Sequence, residues 1–423
     1  MKTLLAALMA AASCATMAQA QTGEQATEPA AVFTLDQAIQ AAGGTAPATE
    51  AAASAVEAAR AGRTVANLRP NPIVQGQVEN VIGTGPYSGL RSAETTVGVA
   101  IPIELGGKRG ARVAVADAQI TRAELQAAIT AADVRVRVTQ LYVEAIAAER
   151  RLVTARDQVR IAGEAHRAAS VRVQAGRASP LEQQRAGVAR VNAEANLERA
   201  ARLADAARIN LARRIRRSVN GMLDIGLLDR LPAPVAGPDL PARATGTLAM
   251  AAADADLAIA DAGVRLARAN RVPDLNVGPA LRRLEATNDT AAVFSVSIPI
   301  PLFNNGRAAI AQARAQRTQA DAIRRVTALD VEQAITDAQT EAANAATTAR
   351  AAAGPALDAA QEAARIARIG YREGKFGQLD LLDAERTLAE TRLAAIEALA
   401  SYQNARARLE RLTAPAPTIG NDR

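Results

Sequence analysis

The chain has no tryptophan, only four phenylalanines and four tyrosines, one cysteine and one histidine in 423 residues. So few aromatics do not fill the core of a large globular enzyme, nor line a surface for stacking nucleic-acid bases. The lone histidine, His166, leaves no multi-histidine metal site and no His-based triad within one chain, so no catalytic constellation, metal site or cofactor is expected. It sits on a long predicted helix beside Arg167 and reads as a solvated or seam histidine. After the N-terminus no run approaches about 18 uninterrupted apolar residues, so no transmembrane helix is expected.

What is there instead is alanine and arginine in long stretches free of glycine and proline, the composition of long helices with small-residue seams. The N-terminus reads as a secretory signal peptide over residues 1–20. Met1-Lys2 leads an apolar run from Leu4 to Ala12, and Ala18-Gln19-Ala20 is the cleavage site. Cys14, the only cysteine, has a second reading as a lipidated N-terminus, against which Ala11 stands where a lipobox carries leucine. Cleavage after Ala20 leaves a mature chain without disulfides or thiolate sites. The net charge of +7 comes from 50 basic and 43 acidic residues. Both signs are interspersed along the helices, aromatics are scarce, and the chain is exported, so nucleic acid is not the expected partner.

The stretch IPIELGGKRG at 101–110 is echoed by IPIPLFNNGR at 298–307, a spacing of nearly half the chain. That repeat organises everything else. A helix is predicted over 34–68, ending at Arg69-Pro70-Asn71-Pro72. The pattern then changes to period 2 and predicts strands over 72–82 and 94–104, each with one apolar and one polar or small face. Residues 108–217 read as a helical hairpin. Its seam runs through Val134, Val138, Leu141, Ala145 and Ala148, and AGRASP at 175–180 is its turn. About 67 residues of helix at 1.5 Å each span roughly 100 Å. The Pro/Gly-rich stretch 218–246 reads as a linker between a first repeat (21–217) and a second (247–412). The second holds a helix from Thr247, strands over 274–284 and 292–303, and a hairpin over 306–412 with its turn EGKFGQ at 373–378. Gly354-Pro355 is expected to kink that hairpin. Residues 413–423 read as a disordered tail.

Each half therefore offers two strands of the length that crosses a bilayer in a tilted β-barrel. Four strands cannot close a barrel, and an open edge in lipid leaves backbone groups unsatisfied. Either the sheet stays in water, or several chains share one barrel, twelve strands if there are three. The exposed apolar sets Val97, Val99, Ile101 and Phe294, Val296, Ile298 favour the second.

At this point the sequence strongly resembles the TolC-like outer-membrane efflux proteins. The resemblance rests on Thr34-Leu35-Asp36-Gln37-Ala38, on Arg69-Pro70-Asn71-Pro72, on Glu104-Leu105-Gly106-Gly107-Lys108-Arg109, and on Gly370-Tyr371-x-x-Gly374 with Leu379-Asp380-Leu381-Leu382-Asp383-Ala384. The Glu-Leu-Gly-Gly-Lys-Arg wording is most similar to the heavy-metal, cobalt–zinc–cadmium branch. The resemblance implies a mainly α fold with a membrane β part. A homotrimer would build a 12-stranded barrel in the outer-membrane lipid of a Gram-negative cell, continued by a helical periplasmic tunnel. It implies a passive conduit working with a periplasmic adaptor and an inner-membrane RND-type pump, with no enzymatic activity. A multidrug or type I secretion channel is the neighbouring alternative. A periplasmic coiled-coil scaffold without a pore is the alternative of another class.

Asp380 and Asp383 lie three apart at a helix start and share one face. In one chain they read as acidic residues favouring a helix N-terminus; in a trimer the family makes the matching positions a ring at the constriction. The family also implies that Glu182 and Tyr371 latch the closed state, and that the tips (Gly176, Arg177, Ser179; Gly374, Lys375, Phe376, Gly377) meet the adaptor. Phe376 stands where some members carry a basic residue.

Overall fold

The computed structural model describes residues 32–219, 221–233 and 243–417. The signal peptide with Cys14, the middle of the 218–246 stretch and residues 418–423 lie outside the described residues.

The chain opens on α1 (Leu35–Thr45), whose Thr34 and Gln37 cap each other reciprocally. The helix expected over 34–68 is in fact two. Pro47 cannot continue α1, and it holds Ala46 extended (φ −70°, ψ 129°) before α2 (Pro47–Ala66) begins. β1 (Ile73–Glu79) and β2 (Glu94–Ile103) follow, then α3 (Lys108–Gln174), 67 residues long, and α4 (Pro180–Ile215). The second half repeats the plan with α5 (Leu248–Asn270), β3 (Leu275–Leu284) and β4 (Asp289–Ser297). A long helix follows, broken into α6 (Arg307–Ala351) and α7 (Leu357–Arg372), and α8 (Gln378–Leu412) closes it. Between α6 and α7 lies a π-helical turn, Ala352–Ala356, containing Pro355. Without an N–H, Pro355 cannot continue the α ladder, so the kink falls where the sequence places it.

The four strands form one antiparallel sheet in the order β1-β2-β3-β4, so the two halves meet along β2 and β3. The register sets Val97 opposite Leu281 and Ile101 opposite Val277. Because side chains alternate across a strand, Val74, Val97, Val99, Leu281, Phe294 and Val296 share one face, exposed to its surroundings. The other face is mostly polar or small. There Arg282 reaches Glu94 (2.8 Å), Glu79 (3.0 Å) and Thr96 (3.0 Å). Among the described residues no strand lies beside the outer edges of β1 and β4.

The second strand expected over 292–303 ends earlier. β4 stops at Ser297, and Ile298, Ile300, Leu302 and Phe303 leave the sheet fully or largely exposed. Pro299 and Pro301 have no N–H for a ladder. In the first copy Pro102 is followed by only one strand residue, and pairing with β3 carries β2 through to Ile103.

The core lies midway down the helices, where Tyr142, Ile146, Leu211, Ile215, Leu223, Leu228, Leu399 and Tyr402 pack together. The described part of the 218–246 stretch is not a loose linker. Leu223, Leu227 and Leu228 are buried, and Phe33 forms a parallel bridge with Leu223. The Tyr142 hydroxyl donates to the Phe33 carbonyl and accepts from the Asp224 amide at 2.9 Å. The Gln403 side-chain amide donates to the carbonyls of Leu227 (2.9 Å) and Arg230 (3.2 Å). The segment is a strap around the helices, held by apolar anchors that its Pro/Gly content hides. Nor is the C-terminal stretch disordered from 413 onward: Leu248 donates to the Ala414 carbonyl and Ala416 to the Gly246 carbonyl.

Candidate functional site: the hairpin tips and the strand–helix junction

The two hairpins end in turns of one design. At the first, Gly176 takes φ +68° and the Arg177 amide reaches back to the Arg172 carbonyl at 2.8 Å. At the second, Gly374 takes φ +75° and the Lys375 amide reaches the Gly370 carbonyl at 2.8 Å. Both are left-handed helix caps that only glycine adopts without strain. Ser179 then caps α4, its hydroxyl accepting from the Leu181 amide (3.3 Å), and Lys375 pairs with Glu373 at 2.6 Å.

The structure brings Glu182 and Tyr371 together. The buried Tyr371 donates its hydroxyl to Glu182 Oε1 at 3.2 Å, and the Gln378 amide donates to the Glu182 carbonyl at 3.0 Å. Burial pushes the Tyr371 hydroxyl up, with Arg172 partly offsetting it. Arg172 was not among the residues the sequence singled out. Its guanidinium stacks 4.9 Å from the Tyr371 ring centroid and its Nη1 lies 3.6 Å from the same Glu182 oxygen. Three elements thus meet in one contact: α3 gives a cation, α7 an aromatic ring and α4 a carboxylate. A stacked, paired arginine of this kind contributes about 0.5–2 kcal/mol. Nothing in the spacing signals Arg172, because it stands in the last turn of α3, where a basic residue is expected on helix-dipole grounds alone.

Phe376 lies against Gly370. A Cβ at Gly370 would stand 2.1 Å from its ring, so Gly370 is required for this packing.

Asp380 and Asp383 are both exposed at the start of α8. Asp380 accepts from the Gly377 amide at 2.9 Å, and Asp383 pairs with Arg386 at 3.2 Å. Within one protomer each has a local structural partner, and they are not drawn to Glu182. Between the two hairpins, above the tips, lies a groove of about 800 Å³ floored by Ala165, Ala168 and Leu388 and rimmed by Arg160, Arg368 and Glu385. His166 sits half-buried in the α3–α4 seam against Gly187, its Nδ1 sequestered from solvent without a hydrogen-bond partner. It is a seam residue. Among the described residues no three His, Cys, Asp or Glu side chains are grouped to hold a metal ion, and no helix is long and apolar enough to cross a membrane.

At the other end of α3, the stretch that opened the repeat is an ion-pair lock. Lys108 reaches Asp274 at 2.7 Å, and Asp274 also accepts from the Leu105 amide at 3.2 Å. Arg112 is bidentate to Glu104 and donates to the carbonyls of Ala66 and Leu68. The hydrogen bond from Arg112 holds the Glu104 carboxyl below its ordinary range. Burial pushes Asp274 up, but bonds from Lys108 and Leu105 outweigh it and leave it below its usual value. Gly106 and Gly107 both take φ +71°, and a Cβ at Gly106 would strike Val272 at 2.6 Å. The Gly-Gly pair therefore lets strand turn into helix directly on top of α5.

The sequence model of a family described as outer membrane efflux protein matches residues 38–215 and 245–414. The chain is 29% identical over 387 residues to the cobalt-zinc-cadmium resistance protein CzcC of Cupriavidus metallidurans, covering 91% of each chain. It is 30% identical to the nickel and cobalt resistance protein CnrC of the same organism over 66% of this chain and 67% of that one. Among solved structures, CusC superposes with a TM-score of 0.73 at 18% identity, covering 92% of this chain and 93% of that one. VceC of Vibrio cholerae superposes with a TM-score of 0.71 at 18% identity, covering 90% of this chain and 96% of that one.

Proposed function

The chain belongs to the outer membrane efflux protein family, and from that premise we propose that it is the passive conduit of a tripartite system exporting heavy-metal cations. The outer-membrane efflux channel is the family's established role. The finer reading adds three copies sharing one twelve-stranded barrel, a periplasmic adaptor at the hairpin tips, an RND-type pump beneath, and divalent metal ions as cargo.

The observation that carries it is the sheet. It has one continuous apolar face, two unpaired edges and a rigid junction to helices roughly 100 Å long. A sheet edge facing lipid is not sustainable; a second copy laying its β1 beside β4 pairs one edge, and a closed ring of three copies leaves none. The metal reading draws on the relatives, whose names attach them to cobalt, zinc, cadmium and nickel resistance. The absence of a grouped set of metal ligands among the described residues fits cargo that passes without being held. The closed state is the contact of Arg172, Tyr371 and Glu182, with Asp380 and Asp383 beside it as the constriction.

The test has two arms. Purified protein added to a planar bilayer is expected to give discrete conductance steps and to migrate as a heat-modifiable trimer. Deleting the gene is expected to sensitise cells to zinc, cobalt or cadmium, with restoration by the wild-type chain. Monomers without conductance would favour a scaffold. Conductance with unchanged metal tolerance and altered drug tolerance would replace the cargo.

A further inference from the structure

Within the eighteen residues from Ala206 to Leu223 there are five arginines and no acidic residue. Four of them, Arg213, Arg214, Arg216 and Arg217, crowd the C-terminus of α4. A cation there is expected, since it complements the helix dipole. One suffices, because the effect fades within the last turn. The last turns of α2, α3, α5, α6, α7 and α8 each carry a single basic residue, and α4 carries two, with two more following. Arg208 is neutralised by Glu149. Arg213 and Arg217 are exposed and form no ion pair among the described residues, and Arg214 is half-buried with its Nε unsatisfied. Arg216 closes the helix at φ +53°. Holding the like charges of Arg213, Arg214 and Arg217 together is unfavourable for the isolated chain and points to an external anion.

The position of the cluster selects the anion. Arg208 is level with Glu149 on α3, and Arg213 lies five residues closer to the sheet along α4. Counted from the start of α3 at Lys108, that is roughly 50 Å below the strand–helix junction. Lipid headgroups are out of range, since charges are screened within about 8–10 Å at physiological salt. We propose that this arginine collar binds the carboxylate-bearing glycan–peptide mesh of the cell wall, which the periplasmic helices must traverse. Guanidinium groups match carboxylates in a two-pronged fork, and a mesh presents many carboxylates at once, so weak contacts add. The collar then fixes the height and tilt of the tunnel without touching the transport path. The inference rests on the periplasmic position of α4 in the efflux reading, and its test does not use conductance.

The experiment pellets purified full-length protein with isolated peptidoglycan sacculi at low and high salt. The wild type is expected to co-sediment at low salt and release at high salt. The Arg213→Gln/Arg217→Gln pair is expected to lower binding roughly tenfold, the effect of losing two charged contacts. The pair Arg185→Gln/Arg314→Gln removes the same charge elsewhere, at exposed positions, and is expected to bind as the wild type does. No pelleting of the wild type, or equal loss in both pairs, would overturn the proposal. So would loss of the trimer in the collar variant, which would make these arginines subunit contacts. Conductance in the same preparations reports separately on the conduit.

Discussion

At the scale of single residues the junction is the most tightly determined part of the chain. Glu104 is nearly buried and answers to one guanidinium, that of Arg112. Its carboxyl is held below the ordinary range by that bond, and a carboxyl lowered in the folded state binds fewer protons than in the unfolded chain. The stabilisation is therefore complete above the unfolded value of about 4.3 and disappears as pH falls through the lower folded value. The protein is expected to stay intact into mildly acidic solution and to lose its junction only below the usual carboxylate range. Arg112→Gln returns Glu104 to an ordinary carboxyl. It is expected to start acid melting at a higher pH and to cost on the order of 1–3 kcal/mol near neutrality. Melting temperature followed against pH reads both effects. An identical acid limb in wild type and variant would show that the pair does not anchor the sheet.

Elements were legible in the sequence wherever the signal was long. The 67-residue α3 was set by an unbroken four-three rhythm, and the strands by period 2 next to proline. What failed were segments whose fate depends on a partner elsewhere in the chain. Leu223 and Leu228 look like linker residues until Phe33 and Tyr142 are placed beside them. Ile298, Ile300 and Leu302 keep strand periodicity, yet the flanking prolines deny them a ladder. Arg172 read as a helix-end cation until α7 brought Tyr371 against it. The π turn is the element whose position the sequence did give, through Gly354-Pro355, and it decides the phase of everything below. A π turn advances the helix less per residue than α geometry does. Pro355→Ala restores a donor to the Ala351 carbonyl, so the turn is expected to revert to α and rotate α7 by roughly 90° about its axis. That rotation removes Tyr371 from Glu182. The expected outcome is unchanged helicity by circular dichroism with a larger single-channel conductance, as for Tyr371→Ala. Wild-type conductance in Pro355→Ala would mean that the kink does not set the tip contact.

For the whole molecule, what matters is how a feature of one protomer reads when three copies converge. In one chain Asp380 is a cap for the Gly377 amide and Asp383 a partner for Arg386, and both roles are local. In the proposed trimer the same residues would form a ring, whose charge would be the sum of the carboxylates less the arginines that accompany them. Arg386 is exposed, and its ion pair with Asp383 is a surface one worth at most about 1 kcal/mol, so it tempers the ring without silencing it. The prediction is consequently two-sided. Asp380→Asn/Asp383→Asn is expected to reduce the cation-to-anion permeability ratio several-fold, and Arg386→Gln to raise it. The measurement is the reversal potential across a salt gradient in a planar bilayer, made at low ionic strength, where a charge is felt beyond about 10 Å. Asp380→Asn keeps a side-chain oxygen for the Gly377 amide but loses the charge assistance, which costs α8 on the order of 0.5 kcal/mol, so a tip loosened by it would raise conductance while lowering selectivity. Asp383→Asn alone leaves the cap in place and separates the two effects: lower selectivity at wild-type conductance assigns the ring, and no change in either variant removes the aspartates from the constriction.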